Sequence, residues 1–296
     1  MLALIAGRGL LPDYVVQSHD GPVLVAALEG FAPDRLKPDI TFRVEQLGTF
    51  ITALKARDVT QICMAGAIGR PALDPAAVDA ATMPLVPRMM QAMGQGDDGA
   101  LRAVIAIFEE AGFTIRAAHE ICAGLLLSEG VPTRQKPQPQ HETAARLGAA
   151  TVAEMGRADQ GQACIVRRGD VLAREDADGT DAMLSRYTTG RTSPDPVADP
   201  LDWGLDALTD ATTSALDWLG GSNNPAETGA ILYKAPKPAQ DRRVDLPTIG
   251  PETARRAAAA GLDGIVITAH GVFVLDLPEV LQILDDAELF LWVRSA

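Results

Sequence analysis

Short apolar runs alternate with segments of helical periodicity along the first 130 residues of the chain. Leu2–Ala6, Val23–Leu28 and residues 61–67 are apolar runs typical of buried strands, and residues 46–57 carry apolar positions at helical spacing. A further strand begins at residue 114, and a helix is expected after it through Leu127. Strands that alternate with helices predict a parallel sheet covered on both faces. We therefore expect a Rossmann-like parallel sheet in an N-terminal α/β domain over residues 1–130.

The pattern changes after a polar, proline-spaced segment at residues 131–140, which we interpret as a linker between two domains. A long Ala-rich helix is expected from His141, followed by a hairpin that turns at Arg167-Arg-Gly-Asp. Later apolar runs alternate with two more helical segments and predict further strands. Residues 141–296 are thus expected to form a C-terminal catalytic α/β domain around a mixed sheet.

Residues 191–228 differ in composition from the rest of the C-terminal part. Pro, Asp, Ser and Gly gather at both ends of this segment, and Trp203, Leu216 and Trp218 lie between them. We interpret the segment as an amphipathic insertion. Its tryptophans fit either a satellite of the core or a lipid-contacting patch.

The charge balance excludes one broad class of partner. The chain of 296 residues has 39 acidic and 26 basic residues, a net charge of −13. A general nucleic-acid binder presents a basic face, so we expect no nucleic-acid partner. A hydrophobic content of 47% with a mean hydropathy of +0.07 is typical of a globular protein. His19 and His141, at predicted helix ends, are expected at the surface.

The cysteines and the lengths of the apolar runs indicate the cellular compartment of the protein. Cys63, Cys122 and Cys164 lie far apart in apolar surroundings, so we expect buried free thiols rather than a metal site or a disulfide framework. The chain shows no signal-peptide pattern at its first residues and no apolar run of bilayer-spanning length. We therefore expect a cytoplasmic protein. Peripheral contact with the inner membrane and formation of a homodimer stay open.

The densest set of polar chemistry lies in residues 234–250, here called the central loop. Three prolines, Pro236, Pro238 and Pro247, exclude a helix interior there. Cations in such a loop suit a phosphate, and carboxylates suit a divalent metal ion or an activated water. A solvated connector with local salt bridges is the alternative interpretation. The charged and amide residues of the loop are Lys234, Lys237, Gln240, Asp241, Arg242, Arg243 and Asp245.

Two glycine turns follow predicted strands, Gly7-Arg-Gly-Leu-Leu-Pro and Gly66-Ala-Ile-Gly-Arg-Pro. Ligands of parallel sheets lie beyond the carboxyl ends of the strands, so we expect both turns to face one crevice. Glycine backbones approach a ligand closely, and an arginine in each turn favours a phosphate. An ordinary tight turn remains an alternative, as does a nicotinamide site, although Pro12 stands where the dinucleotide fingerprint has its third glycine.

An acidic loop, Glu175-Asp-Ala-Asp-Gly-Thr-Asp, places four carboxylates within seven residues ahead of a predicted helix. Such a loop is a candidate divalent-cation site, although it lacks the spacing of a helix–loop–helix calcium loop. A plain acidic loop capped by Asp181 is the alternative.

Together these motifs resemble the UDP-2,3-diacylglucosamine pyrophosphatases of lipid A biosynthesis, the family unrelated to the calcineurin-like phosphoesterases that catalyse the same step. The resemblance extends over most of the chain, and its motifs follow the family's order. They are Ile5-Ala-Gly-Arg-Gly-Leu-Leu-Pro, Ala65-Gly-Ala-Ile-Gly-Arg-Pro, Gly96-Asp-Asp-Gly-Ala-Leu-Arg, Phe108-Glu-Glu-Ala-Gly-Phe, Asp159-Gln-Gly-Gln-Ala, Asp178-Gly-Thr-Asp-Ala-Met-Leu and Lys234-Ala-Pro-Lys-Pro-Ala-Gln-Asp-Arg-Arg-Val-Asp.

The resemblance implies a cytoplasmic, Mg²⁺-dependent hydrolase that splits UDP-2,3-diacylglucosamine into UMP and 2,3-diacylglucosamine 1-phosphate. It also implies that the acylated sugar lies between two α/β domains and that Asp241 is the essential acidic residue, with Asp245 as the neighbouring candidate. A non-catalytic nucleotide-sugar binding or sensor protein is the alternative, in which Asp241 has no chemical role.

From the resemblance and the residue chemistry together we expect three sets of site residues. The catalytic set is Asp241, Asp245 and Lys237. The metal set is Asp241, Asp245, Asp178 and Asp181. The substrate-binding set is Gly7, Arg8, Gly9, Gly66, Arg70, Thr180, Gln240, Arg242 and Arg243.

Overall fold

The structure is a computed structural model, and it describes residues 1–69, 71–93, 96–192, 229–238 and 240–295. Nearly all of the predicted insertion, residues 193–228, lies outside the described residues. No helix in the described part of the chain combines the length and the apolar character that a membrane span requires.

The N-terminal part is built on a five-stranded parallel sheet, as predicted. Its strands in chain order are β1 (Leu2–Ala6), β2 (Val23–Leu28), β3 (Ile40–Phe42), β4 (Gln61–Ala65) and β5 (Thr114–Ile115). They lie in the spatial order β3-β2-β1-β4-β5, and every neighbouring pair is parallel. β2 and β3 therefore lie on one side of β1, and β4 and β5 lie on the other.

Helices cover both faces of this sheet. They are α1 (Leu11–Ser18), α2 (Leu47–Lys55), α3 (Val86–Met93), α4 (Gly96–Glu110) and α5 (Ala118–Ile121). Alternate side chains of β1 enter different cores: Ile5 joins Phe50 and Phe108 on one face, and Leu4 joins Val15 on the other. Burial on both faces explains why the strands read as continuous apolar runs.

The C-terminal part has a mixed sheet, also as predicted. Its helices are α6 (Pro139–Arg157), α7 (Thr180–Thr192), α8 (Pro251–Ala259) and α9 (Leu277–Asp286). Its main strands are β6 (Ala163–Arg167), β7 (Asp170–Arg174), β8 (Ala230–Lys234), β10 (Gly264–Thr268) and β12 (Phe290–Arg294), and a short parallel pair is formed by β9 (Thr248–Ile249) and β11 (Phe273–Val274).

The spatial order of the mixed sheet is β12-β10-β8-β6-β7. β8, β10 and β12 are parallel, whereas β6 runs antiparallel to β8 and forms the predicted hairpin with β7. The carboxyl ends of β7 and β8 and the amino end of β6 therefore meet at one edge. The central loop leaves β8 at this edge.

The chain passes from one sheet to the other through residues 122–130. The N–H of Val274 donates to the carbonyl of Leu125 at 2.9 Å along this crossover. The segment predicted as a linker is then fixed to the C-terminal domain, because the buried hydroxyl of Thr133 accepts the N–H of Leu291 at 2.9 Å. The polar, proline-spaced residues thus belong to that domain.

The three cysteines are buried free thiols, as predicted. Burial raises the pKa of Cys63 and of Cys164 to about 12. The predicted surface position of His141 is wrong, since its side chain is buried. Its Nδ1 accepts the N–H of Gln138 at 2.8 Å, and its Nε2 lies 2.9 Å from a carboxylate oxygen of Asp263. The imidazole therefore joins the start of α6 to the turn before β10.

A buried carboxylate fixes the turn ahead of α2. Glu45 Oε1 accepts Arg43 Nη2 at 3.0 Å and the N–H of Asp74 at 2.7 Å. The hydrogen bond from Arg43 lowers the pKa of Glu45 to about 2. The carboxylate is therefore more stable ionised in the folded protein than in the unfolded chain.

Replacing Glu45 by Gln is expected to lower the free energy of unfolding at pH 7 by about 2 kcal/mol. The folded-state pKa lies below the unfolded one, so this stabilisation is present above about pH 4.5 and is lost as pH falls toward 2. Urea unfolding of wild type and variant from pH 7 to pH 3.5 measures the difference. Glu29→Gln, an exposed carboxylate 3.8 Å from Arg43, is the control and should change little. A difference that stays constant with pH would contradict the assignment.

Candidate functional site

The central loop runs from the end of β8 to the start of α8 and lies between the two domains. Val244 packs against the N-terminal core around Phe108, and Leu246 packs against the core on the other face of the same sheet. Nη1 of Arg243 lies 2.7 Å from Oε1 of Glu109 on α4. The loop therefore belongs to the C-terminal domain in sequence but is held by both domains.

Asp241 lies at the centre of this contact, with 17% of its side chain exposed. Arg243 grips the carboxylate with Nε on Oδ1 at 3.0 Å and Nη2 on Oδ2 at 2.7 Å, and its own N–H donates to Oδ1 at 3.0 Å. These hydrogen bonds hold the pKa of Asp241 below its usual range. At neutral pH the side chain of Asp241 is an ionised carboxylate in a bidentate ion pair with the guanidinium of Arg243.

The neighbouring candidates share one turn with Asp241. The N–H groups of Val244 and Asp245 both donate to the carbonyl of Asp241 at 3.1 Å. Asp245 is half-buried in this turn, and Arg242 is exposed. The structure thus brings together the two aspartates and two arginines that the sequence predicted for one site.

Lys237 and Gln240 shape the first half of the loop. Gln240 Oε1 accepts the N–H of Lys237 at 2.8 Å, and its Nε2 donates to Gln162 Oε1 at 3.3 Å. Nζ of Lys237 lies 2.6 Å from Oδ1 of Asp159. Asp159, Gln162, Glu175 and Lys237 border an open cavity of about 600 Å³ at the edge of the mixed sheet. Ligand pockets commonly have this size.

A buried hydrogen-bond network lies at the start of the central loop, around Lys234. Nζ of Lys234 donates to Thr180 Oγ1 at 2.8 Å and to the carbonyl of Thr248 at 2.9 Å. Thr180 in turn donates to Glu175, whose second oxygen accepts the N–H of Gln162 at 2.6 Å. Burial lowers the pKa of Lys234. The buried hydroxyl of Thr180 already donates to Glu175 and accepts from Lys234, so its predicted substrate contact stays a prediction.

The predicted metal ligands do not converge. Asp178, on the acidic loop, pairs with Arg186 at 3.0 Å, and Asp181 is about half exposed at the start of α7. Among the residues that the structure describes, no three Asp, Glu, His or Cys side chains come together as a metal site. Asp178, Asp181, Asp241 and Asp245 therefore do not form a preassembled metal centre, and Mg²⁺ stays a prediction.

The two glycine turns lie side by side and hydrogen-bond to each other, whereas the crevice that they were expected to face stays a prediction. The N–H of Arg8 donates to the carbonyl of Ala67 and the N–H of Ala67 donates to that of Arg8, both at 2.9 Å. A Cβ at Gly7 would lie 2.5 Å from the oxygen of Ala67, and one at Gly66 would lie 2.7 Å from the carbonyl carbon of Gly7. Glycine is required here because two backbones touch.

Other groups of the turns are also engaged. The N–H of Gly9 donates to Oδ2 of Asp34 at 2.8 Å. The guanidinium of Arg8 lies over the ring of Phe31, 5.9 Å from its centroid. Arg70 lies outside the described residues. These contacts give the turns a structural role, which is to hold the two loops together. Substrate contact at Gly7, Arg8, Gly9 and Gly66 stays a prediction.

Gly7→Ala is expected to lower the free energy of unfolding by about 2 kcal/mol, since the added methyl group meets a backbone carbonyl that cannot move alone. Thermal unfolding measures the loss. Gly169→Ala is the matched control, because nothing lies within 4 Å of a Cβ there. Equal melting temperatures for the two variants would contradict the packing explanation.

Sequence reasoning missed Glu109 and the supporting role of Glu175. Glu109 lies in the motif Phe108-Glu-Glu-Ala-Gly-Phe, but its partner Arg243 is 134 positions away. No local spacing signals such a contact. Glu175 was recognised only as one carboxylate of an acidic loop, because burial is not visible in a run of charged residues.

The fold and the site together define a two-domain α/β protein in which a charged loop is held at the domain interface. A family model described as the LpxI N-terminal domain matches residues 1–125, and one described as the LpxI C-terminal domain matches residues 128–292. The UDP-2,3-diacylglucosamine pyrophosphatase LpxI of Caulobacter vibrioides is 35% identical over 294 residues, which is 98% of this chain and 95% of that protein. The chain belongs to the LpxI family.

Proposed function

We propose that this protein hydrolyses the pyrophosphate bond of UDP-2,3-diacylglucosamine in lipid A biosynthesis. The products are UMP and 2,3-diacylglucosamine 1-phosphate. The observation that carries the proposal is the 35% identity, along 98% of the chain, to a relative named for this pyrophosphatase activity. The central loop supports it, because the carboxylate of Asp241 and the guanidinium of Arg243 lie together where the loop contacts the N-terminal domain.

The residues of the loop supply the chemistry that pyrophosphate hydrolysis needs. The ionised carboxylate of Asp241 orients the attacking water, with Asp245 beside it in the same turn. Lys237, Arg242 and Arg243 neutralise the charge of the phosphoryl oxygens as the phosphorus–oxygen bond breaks. Arg243 contributes its positive charge, since all three nitrogens of its guanidinium already bind Asp241 or Glu109.

Mg²⁺ is part of the proposal as the ion that the resemblance implies. The described residues offer no closed cage of three ligands. Mg²⁺ commonly takes one or two carboxylates from the protein and completes its shell with water and substrate phosphate oxygens. When bound it would supply positive charge at the pyrophosphate. We also propose that the reaction takes place in the cytoplasm.

Incubation of purified protein with detergent-dispersed UDP-2,3-diacylglucosamine tests the function. With Mg²⁺ present, mass spectrometry is expected to find UMP and the lipid phosphate in equal amounts. EDTA should stop product formation, and excess Mg²⁺ should restore it. A folded protein that binds the substrate and releases no product would favour a nucleotide-sugar sensor instead.

A further inference from the structure

The grip of Arg243 on Asp241 depends on a residue from the other domain. Two nitrogens of the guanidinium, Nε and Nη2, bind Asp241, and the third, Nη1, binds Glu109 at 2.7 Å. Glu109 lies on α4 of the N-terminal domain. Because all three guanidinium nitrogens have partners, one carboxylate on each side fixes the orientation of the Arg243 side chain.

Helix α4 carries a second charged residue near Asp241. The positive charge of Arg102 attracts the carboxylate of Asp241 and contributes to its lowered pKa. Arg102 and Glu109 are seven residues, about two helical turns, apart and so lie on one face of α4. Val244, the residue after Arg243, packs against the N-terminal core. This face of α4 therefore forms one wall of the site.

The next residue on the helix has a different environment. Glu110 pairs with Arg88 of α3 at 2.6 Å, within the N-terminal domain. Both glutamates are exposed, Glu109 to 44% and Glu110 to 67%, and among the described residues only Glu109 of the two is paired with the central loop. This pair offers an internal comparison of a cross-domain contact with an ordinary surface ion pair.

We infer that Glu109 is a positioning residue for the hydrolysis, which holds Arg243 and through it orients Asp241. The inference rests on the proposed function. Its consequence is that the N-terminal domain completes the reaction centre, so that Asp241 has its working orientation only when the two domains are docked.

Steady-state kinetics of Glu109→Gln tests the inference, with Glu110→Gln as the matched control. We expect kcat of Glu109→Gln to fall about 10- to 100-fold, with KM within about threefold of wild type, because orientation rather than binding is lost. Glu110→Gln should retain wild-type kcat. Glu109→Asp, which keeps the carboxylate on a shorter arm, should recover part of the loss.

A coupling measurement separates positioning from a merely structural role. In a protein that already carries Arg243→Lys, Glu109→Gln should change kcat by less than about threefold, since the guanidinium that Glu109 positions is absent. Melting temperatures are recorded for every variant, and Glu109→Asp provides the kinetic reading if Glu109→Gln fails to fold.

If the wild-type enzyme is active and Glu109→Gln has the same kcat per folded molecule, this inference is overturned and the proposed function is left intact. The same conclusion follows if Glu109→Gln and Glu110→Gln lower kcat equally. Absence of hydrolysis by the wild-type protein would overturn both proposals together.

Discussion

Replacing Asp241 by Asn is expected to lower kcat by about three orders of magnitude while leaving substrate affinity within a few fold. The amide keeps the shape of the carboxylate but removes the negative charge that orients water. It also weakens the bond to Arg243, which becomes one between a charged and a neutral group. Steady-state kinetics and calorimetric binding of the intact substrate measure the two quantities separately.

Asp170→Asn is the control for this substitution, because Asp170 is an exposed residue on the β6–β7 hairpin, away from the central loop. It should retain wild-type turnover. Asp245→Asn is expected to fall between the two. An Asp241→Asn protein with wild-type kcat would show that the central loop does not contain the catalytic carboxylate.

Replacing Lys234 by Met is expected to destabilise the C-terminal domain by about 3 kcal/mol. The buried ammonium group donates to Thr180 and to the carbonyl of Thr248, and the side chain of Glu175 depends on the same network. Without Lys234, two acceptors lose their donor and a buried carboxylate loses its compensating charge. Thermal unfolding should show a melting temperature lower by roughly 6–12 °C.

Two comparisons define the cause of this loss. Lys136→Met removes an exposed ammonium that also donates to two carbonyls, which water can then satisfy, so its effect should be small. Adding Glu175→Gln to Lys234→Met should restore part of the lost stability. If the double variant is no more stable than Lys234→Met, compensation of the buried carboxylate is not the cause.

The parts of the fold that were predictable from sequence are those in which one local pattern decides the structure. β1 and β2 were predicted to the residue, because strands buried on both faces read as unbroken apolar runs. The hairpin of β6 and β7 was predictable from its turn chemistry. The location of the two glycine turns at one end of the sheet followed from the common direction of parallel strands, although their direct pairing was not predicted.

Long-range contacts override local pattern elsewhere. The helix predicted to continue through Leu127 ends at Ile121, because the next residues cross to the other sheet and Gly124 takes a positive φ of 90°. The burial of His141 depends on Asp263, 122 positions away. Sequence reasoning found the central loop but not its partner Glu109. It also grouped as metal ligands four aspartates of which no three come together in the described part of the chain.

Hydrolysis in ¹⁸O-labelled water tests the central claim most directly. UMP and 2,3-diacylglucosamine 1-phosphate are expected to form in equal amounts, and one of the two, never both, is expected to gain a single ¹⁸O atom. Release of UDP and the deacylated or intact sugar, or products without label, would contradict hydrolysis of the pyrophosphate bond.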